Sequence, residues 1–173
     1  MHKKIKLLIT GAGAPGIAGT IFSLRNNYDN RNLHIITTDS KTDVAGKYIS
    51  DDFHQISPAS QQDSYLESLL NICKKQNVQI IIPQNTAELL PLSSNKKMFR
   101  DIGTEILLSD SSAIKRANNK YELMKVCTEN GIPTGKFFLA DNFEDLYHSA
   151  VEIGWPEKKV VVKPPDSNGM RGV

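Results

Sequence analysis

Cysteine is nearly absent: Cys73 and Cys127 are the only two in 173 residues, far apart and both inside helix-patterned segments. They make neither a CxxC site nor a disulfide framework, and read as reduced packing residues of a cytoplasmic protein. Long apolar runs are missing too. No stretch approaches the roughly 18 residues of a membrane span, so no membrane partner is expected. Met1-His2-Lys3-Lys4 has the charge of a secretory signal, but the run behind it, Ile5 to Ile9, is interrupted by Lys6 and stops at Thr10-Gly11, too short for a signal core. Charge of one sign is scarce as well: 21 Lys plus Arg against 19 Asp plus Glu leave +2. The basic residues are spread along the chain, without the patch that would release counterions from nucleic acid, so nucleic acid is not an expected partner. His2, His34, His54 and His148 show no ligand spacing, and no metal site, nucleophile elbow or Cys/His pair is read. What remains is 39 % hydrophobic and 23 % charged, enough apolar side chain for a packed core and against disorder.

Short apolar runs recur, each ending at polar or turn residues and each followed by a helix-period segment. Lys4 to Thr10, Leu33 to Asp39, Val78 to Pro83 and Glu105 to Ser109 have the length and Ile/Leu/Val content of buried strands. Ile17 to Arg25 follows a glycine loop, and Asp63 to Gln76 places Leu66, Leu69, Leu70 and Cys73 on one face. Ser60 with Asp63 is the spacing of a capping box, and Asn77 a stop. Alternating strands and helices imply parallel order with right-handed crossovers: an α/β fold with a doubly wound, mostly parallel, Rossmann-like sheet.

After Ser109 the character changes. Ser111 to Ala117 and Lys120 to Asn130 read as helices, the second ended by Gly131 and Pro133. A domain boundary is expected in this region, giving residues 1–114 and 115–173. Lys136 to Leu139 and Lys159 to Lys163 read as strands, and Phe143 to Ile153 as a helix behind Asp141-Asn142. Ending at Val173 leaves a strand–loop–strand hairpin half built, from which a fragment of a longer protein is expected.

Two constellations carry chemistry. Gly11-Ala12-Gly13-Ala14-Pro15-Gly16 fits GxGxxG between a strand and a helix, and Asp39 ends the next strand about 20 residues further on, the context of a dinucleotide fingerprint. Gly11, Gly13 and Gly16 would let backbone N–H groups approach an anion and Asp39 accept from a ribose. Alternatively the glycines pack the helix on the strand. Glu88, with Asn85 and Thr86, follows a strand end where such a sheet presents its crevice; a solvated acid stabilised by a helix dipole is the plainer reading.

The second constellation is Asn119-Lys120 at a helix start, Gly131-Ile132-Pro133-Thr134, Val161-Val162-Lys163-Pro164, and Asp166-Ser167-Asn168-Gly169-Met170-Arg171-Gly172-Val173. This order resembles the ATP-grasp superfamily, in the branch of the carbamoyl-phosphate synthase large chain and biotin carboxylase. The front portion, with ITGAG, IIIPQNTAELLPL and EILLSDSSAI, resembles the pre-ATP-grasp domain. The resemblance implies that residues 115–173 open an incomplete α+β ATP-grasp domain. It also implies that Lys120 and Lys163 reach a nucleotide's phosphates and base edge, and that Ser167, Gly169, Arg171 and Gly172 belong to a flap over the phosphates. Gly11, Gly13, Gly16, Asp39 and Glu88 then fall on the substrate side. Independently of the name, a lysine is a compact charge suited to phosphate oxygens. The implied activity is ligation of a small-molecule carboxylate to an amine through an acyl phosphate, with ATP and Mg2+, in a protein able to form a homo-oligomer. The catalytic and metal-binding groups are expected beyond Val173, which leaves the 173 residues alone inactive. An NAD-binding oxidoreductase built on the glycine fingerprint, or a non-catalytic binding module, are the alternatives.

Overall fold

The computed structural model describes residues 4–166 and divides into two compact units, residues 1–111 and 112–173. In the first, β1 (Ile5–Thr10), α1 (Ile17–Arg25), β2 (Leu33–Asp39), α2 (Ala45–Ile49), β3 (Asp52–Gln55), α3 (Gln62–Gln76), β4 (Ile80–Ile82), α4 (Thr86–Ser94), α5 (Lys96–Arg100) and β5 (Glu105–Ile106) follow in order. Every strand pair is parallel and the order is β3-β2-β1-β4-β5. The chain builds outward from β1 to β3, then crosses back to place β4 on the other side of β1. That reversal opens a crevice at the carboxyl ends of β1 and β4.

The sheet is buried on both faces because its strands are apolar on both. Leu8, Ile36, Ile81 and Ile106 pack with Tyr65, Leu66 and Leu69 of α3, Leu92 of α4 and Phe99 of α5. Ile9 and Ile35 face the other way, against Ile17 and Ile21 of α1. Fully burying one such side chain contributes about 1.5–3 kcal/mol.

α3 stops at Asn77 as expected: its φ of 54° is left-handed and its N–H returns to the Cys73 and Lys74 carbonyls. Its start differs. A turn in which Gln61 N–H donates to Pro58 O delays the helix, so Gln61 is the cap without a side-chain bond and the Ser60–Asp63 box does not form. β3 carries no apolar run and owes its place to pairing with β2.

Among the described residues of the second unit are α6 (Ser111–Asn118, which begins at the boundary), α7 (Lys120–Glu129) and α8 (Phe143–Ile153). Asn119 caps α7 by accepting from Glu122 N–H at 3.0 Å, and Asn142 caps α8 by accepting from Asp145 N–H at 2.9 Å. Residues 136–139 and 159–163 are not strands. Extended backbone becomes a strand only when a neighbour takes its N–H and C=O groups, and neither segment has a ladder partner among the described residues.

Candidate functional site

At the carboxyl edge of the sheet the core turns polar. Thr10, Thr38 and His54 stand in register across β1, β2 and β3, so their side chains leave the same face of the sheet. Thr10 and Thr38 are fully buried, and Tyr65 of α3 is 1 % exposed. Among the described residues Thr38 Oγ1, His54 Nε2 and the Tyr65 hydroxyl have no hydrogen-bond partner. One step further from the edge the same face carries Leu8 on β1 and Ile36 on β2, both in the apolar core.

Glu88 completes the cluster from α4. It is 6 % exposed, and Thr10 Oγ1 donates to its Oε2. The solvated helix-start acid of the plainer reading is therefore replaced by a buried one. Burial pushes the Glu88 carboxyl up to about 7, with the nearby negative Asp39 adding to the rise, while the Thr10 hydroxyl and the Asn85 backbone oppose it. The local sequence explains the placement: Asn85 caps α4 by accepting from Ala87 N–H, and Glu88 falls at the third helical position. Asn85-Thr86-Ala87-Glu88 is thus a capping-box pattern, a signal readable in the sequence and missed there.

The glycine loop is close by, and the amides of Ala12, Gly13 and Ala14 are engaged. Ala12 N–H donates to Thr38 O, Gly13 N–H to Asp39 Oδ2 at 2.8 Å, and Ala14 N–H to Gly11 O. Asp39 Oδ1 also accepts from Lys41 N–H. The Asp39 carboxylate thus lies against the glycine loop. Gly11 holds a φ of +66° and would press any Cβ to 3.3 Å of the Asn85 Cβ, which is how the loop packs onto the turn after β4. A Cβ on Gly13 would meet Val44 at 3.0 Å, and one on Gly16 would come within 3.7 Å of Gln84 Oε1. One of the loop's amides, that of Gly13, faces an acid.

In the second unit the backbone N–H of Lys120, at the start of α7, donates to Pro165 O at 2.9 Å. This ties the Lys120 segment to the Lys163–Asp166 segment. Lys120 is half-buried and Lys163 exposed. Ser167, Gly169, Arg171 and Gly172 lie outside the described residues. The sequence reading overlooked Thr38, His54 and Tyr65, which belong to no motif, and carried Thr10 only as part of ITGAG. Among the described residues no helix is long and apolar enough to cross a membrane.

A family model described as PylC-like, N-terminal domain, matches residues 7–107. The carbamoyl phosphate synthase large chain of Clostridium acetobutylicum is 24 % identical over 116 residues, covering 67 % of this chain and 10 % of that protein. The formate-dependent phosphoribosylglycinamide formyltransferase of Bacteroides fragilis is 26 % identical over 168 residues, covering 96 % of this chain and 39 % of that one. The chain therefore spans well under half the length of these relatives. Among solved structures, the biotin carboxylase domain of the Hydrogenobacter thermophilus 2-oxoglutarate carboxylase, in complex with MgADP, ADP and bicarbonate, superposes with a TM-score of 0.57. It has 19 % identity and covers 90 % of this chain and 34 % of that one, a likeness of fold. Since residues 7–107 are more than half of the chain, the protein belongs to the PylC-like N-terminal domain family, and its pre-ATP-grasp resemblance holds.

Proposed function

We propose that this chain is the N-terminal region of an ATP-dependent carboxylate–amine ligase that works through an acyl phosphate. The observation that carries the reading is Glu88: a buried carboxyl held by Thr10 at the carboxyl ends of the strands in a PylC-like N-terminal domain, the edge at which open parallel sheets take their ligands. In this reading the first unit, proposed as residues 1–114, presents Gly11, Gly13, Gly16, Asp39 and Glu88 to the carboxylate or amine substrate. Residues 115–173 begin the nucleotide-binding domain, with Lys120 and Lys163 on the phosphates and Ser167, Gly169, Arg171 and Gly172 in the loop over them. Magnesium ATP, when bound, supplies the phosphoryl group that activates the carboxylate. The protein's part is positioning and electrostatic clamping. A carboxyl near 7 sits between a neutral and a charged form at working pH and accepts from an amine or donates to a carboxylate accordingly.

Support comes from the family, from relatives named as a carbamoyl phosphate synthase and a formyltransferase, and from a fold neighbour holding MgADP. The oxidoreductase reading has the glycine fingerprint alone, whose Gly13 amide is engaged by Asp39. We further propose that the 173 residues by themselves do not turn over, because they span 39 % or less of the two curated relatives. A cytoplasmic setting and self-association belong to the same proposal.

Titration calorimetry with magnesium ATP and with NAD, on the protein at its encoded length, tests it. ATP binds and NAD does not; Lys163→Ala loses about 1.5–3 kcal/mol of nucleotide affinity, while the exposed control Lys75→Ala on α3 loses none. NAD binding without an ATP signal, or equal affinities for the two variants, overturns the reading. Absence of either ligand's signal favours the non-catalytic module.

A further inference from the structure

A buried hydroxyl without a partner costs stability, and at a ligand-binding edge it marks a group whose partner comes with a ligand. Thr38, at the carboxyl end of β2, is such a residue. It is 0 % exposed, and among the described residues its Oγ1 has no hydrogen-bond partner. The other buried threonines differ: Thr10 Oγ1 donates to Glu88 Oε2, Thr37 Oγ1 bonds with Ser50 Oγ at 2.8 Å, and Thr104 Oγ1 donates to Val78 O at 2.8 Å. One strand outward, His54 on β3 is the register partner of Thr38, and its Nε2 is also buried and unpartnered.

Register partners on neighbouring parallel strands leave the same face of the sheet, with their backbones about 4.8 Å apart. Thr38 and His54 are therefore neighbours at the sheet edge, in a row that begins with Thr10 and the Glu88 it holds. His54 is half-buried on the edge strand, so the row reaches solvent at that end. The chemistry of the pair selects what it takes. Glu88 and Asp39 are the acids of these strand ends, and neither is ion-paired among the described residues, which disfavours a carboxylate beside them. An ammonium group finds a stronger acceptor in Glu88 itself. A hydroxyl suits the pair, because it both donates and accepts, as do a threonine hydroxyl and a neutral imidazole.

We propose that Thr38 and His54 form a subsite for a hydroxyl group of the small molecule bound at the strand ends, one strand along from the Thr10–Glu88 pair. This rests on the reading of that edge as the substrate edge, and it adds a substrate class: an acid or amine that carries a hydroxyl. The two residues determine specificity. A site built to hydrogen-bond a hydroxyl rejects the analogue without it, because its own buried polar groups are then left unpaired.

The experiment follows the His54 ring nitrogens by NMR in the protein at its encoded length, without nucleotide, using serine and alanine as probes that differ by one hydroxyl. Serine moves the His54 resonances and alanine does not, and Thr38→Val weakens the serine response about tenfold. In urea, ligand-free Thr38→Val unfolds at a higher concentration than the wild type, because valine removes a buried hydroxyl that had no partner. Equal responses to the two probes, or no response to either, overturn the proposal. So does a Thr38→Val protein that is less stable or does not fold, since the hydroxyl then serves the fold itself, through an ordered water. Neither readout involves ATP. Failure here leaves the calorimetry with Lys163→Ala untouched, and a failure of ATP binding leaves the serine response to be judged by itself.

Discussion

The two units hold their helices by different means. In residues 1–111, α3 turns Tyr65, Leu66, Leu69 and Cys73 into the core, and the sheet beneath is buried on both sides. In residues 112–173, α7 and α8 bury no residue, and Ile114 is the lone buried hydrophobic side chain among the described residues. Along α8, Phe143, Tyr147 and Val151 recur at four-residue spacing on one face and are 80 %, 54 % and 46 % exposed. Both units carry amphipathic periodicity. In the first it is cashed in as burial; in the second the helix ends are secured by Asn119 and Asn142, and apolar contact contributes little. Periodicity thus reports that a helix has an apolar face, while the stability of that helix depends on what meets the face.

The largest expected effect breaks the comparison at its stronger side. Leu69→Ala leaves a cavity in a fully buried site and should cost about 2–5 kcal/mol in urea unfolding, against roughly 0.5 kcal/mol or less for Val151→Ala on α8. Equal losses would show that α8 is packed as firmly as α3.

A second experiment concerns the polar edge of the first unit. The Glu88 carboxyl binds its proton more tightly folded than unfolded, so the stability it lends is complete below its unfolded value and declines as pH rises through about 7. Between pH 4.5 and 7 the first unit should lose roughly 3 kcal/mol from this group, and Glu88→Gln should flatten that slope. Asp51 acts in the opposite sense at the other end of the sheet. Hydrogen bonds from the Ile35 backbone and Arg25 hold its carboxyl low against the cost of burial, so its contribution is present at neutral pH and fades in acid. Urea midpoints across pH separate the two, and a slope unchanged by Glu88→Gln would refute the assignment.

The smallest effect sharpens the comparison from the weaker side. Asn142→Ala removes the cap of α8 and should cost about 1 kcal/mol. Hydrogen exchange should speed up at the first turn of α8 and nowhere in residues 1–111. A rise in exchange across the first unit would mean that the two do not open independently.

Much of the fold is legible along the chain, and particular elements show why. β2 runs from Leu33 to Asp39 and α8 from Phe143 to Ile153, the same limits that local pattern predicts, since an apolar run or an Asn-capped amphipathic stretch is a local property. β3 escaped because Asp52–Gln55 is a short edge strand whose conformation is decided by the neighbour it pairs with. Residues 159–163 fail in the other direction: KVVVK has strand composition, but composition supplies no partner.

The site divides the same way. The glycine loop after β1, Asp39 at the end of β2 and Glu88 after β4 stand where the sequence pattern places them. The sequence alone determined the parallel α/β plan and the family resemblance, because both rest on residue types in order. Only the tertiary structure decided that Asp39 engages Gly13, that Thr10, Thr38 and His54 line up, and that Glu88 is buried with the Thr10 hydroxyl donating to it. The physical reason is that a carboxyl's charge and a loop's free donors depend on desolvation and on neighbours brought from 26 to 78 residues away, quantities that no local window of sequence contains.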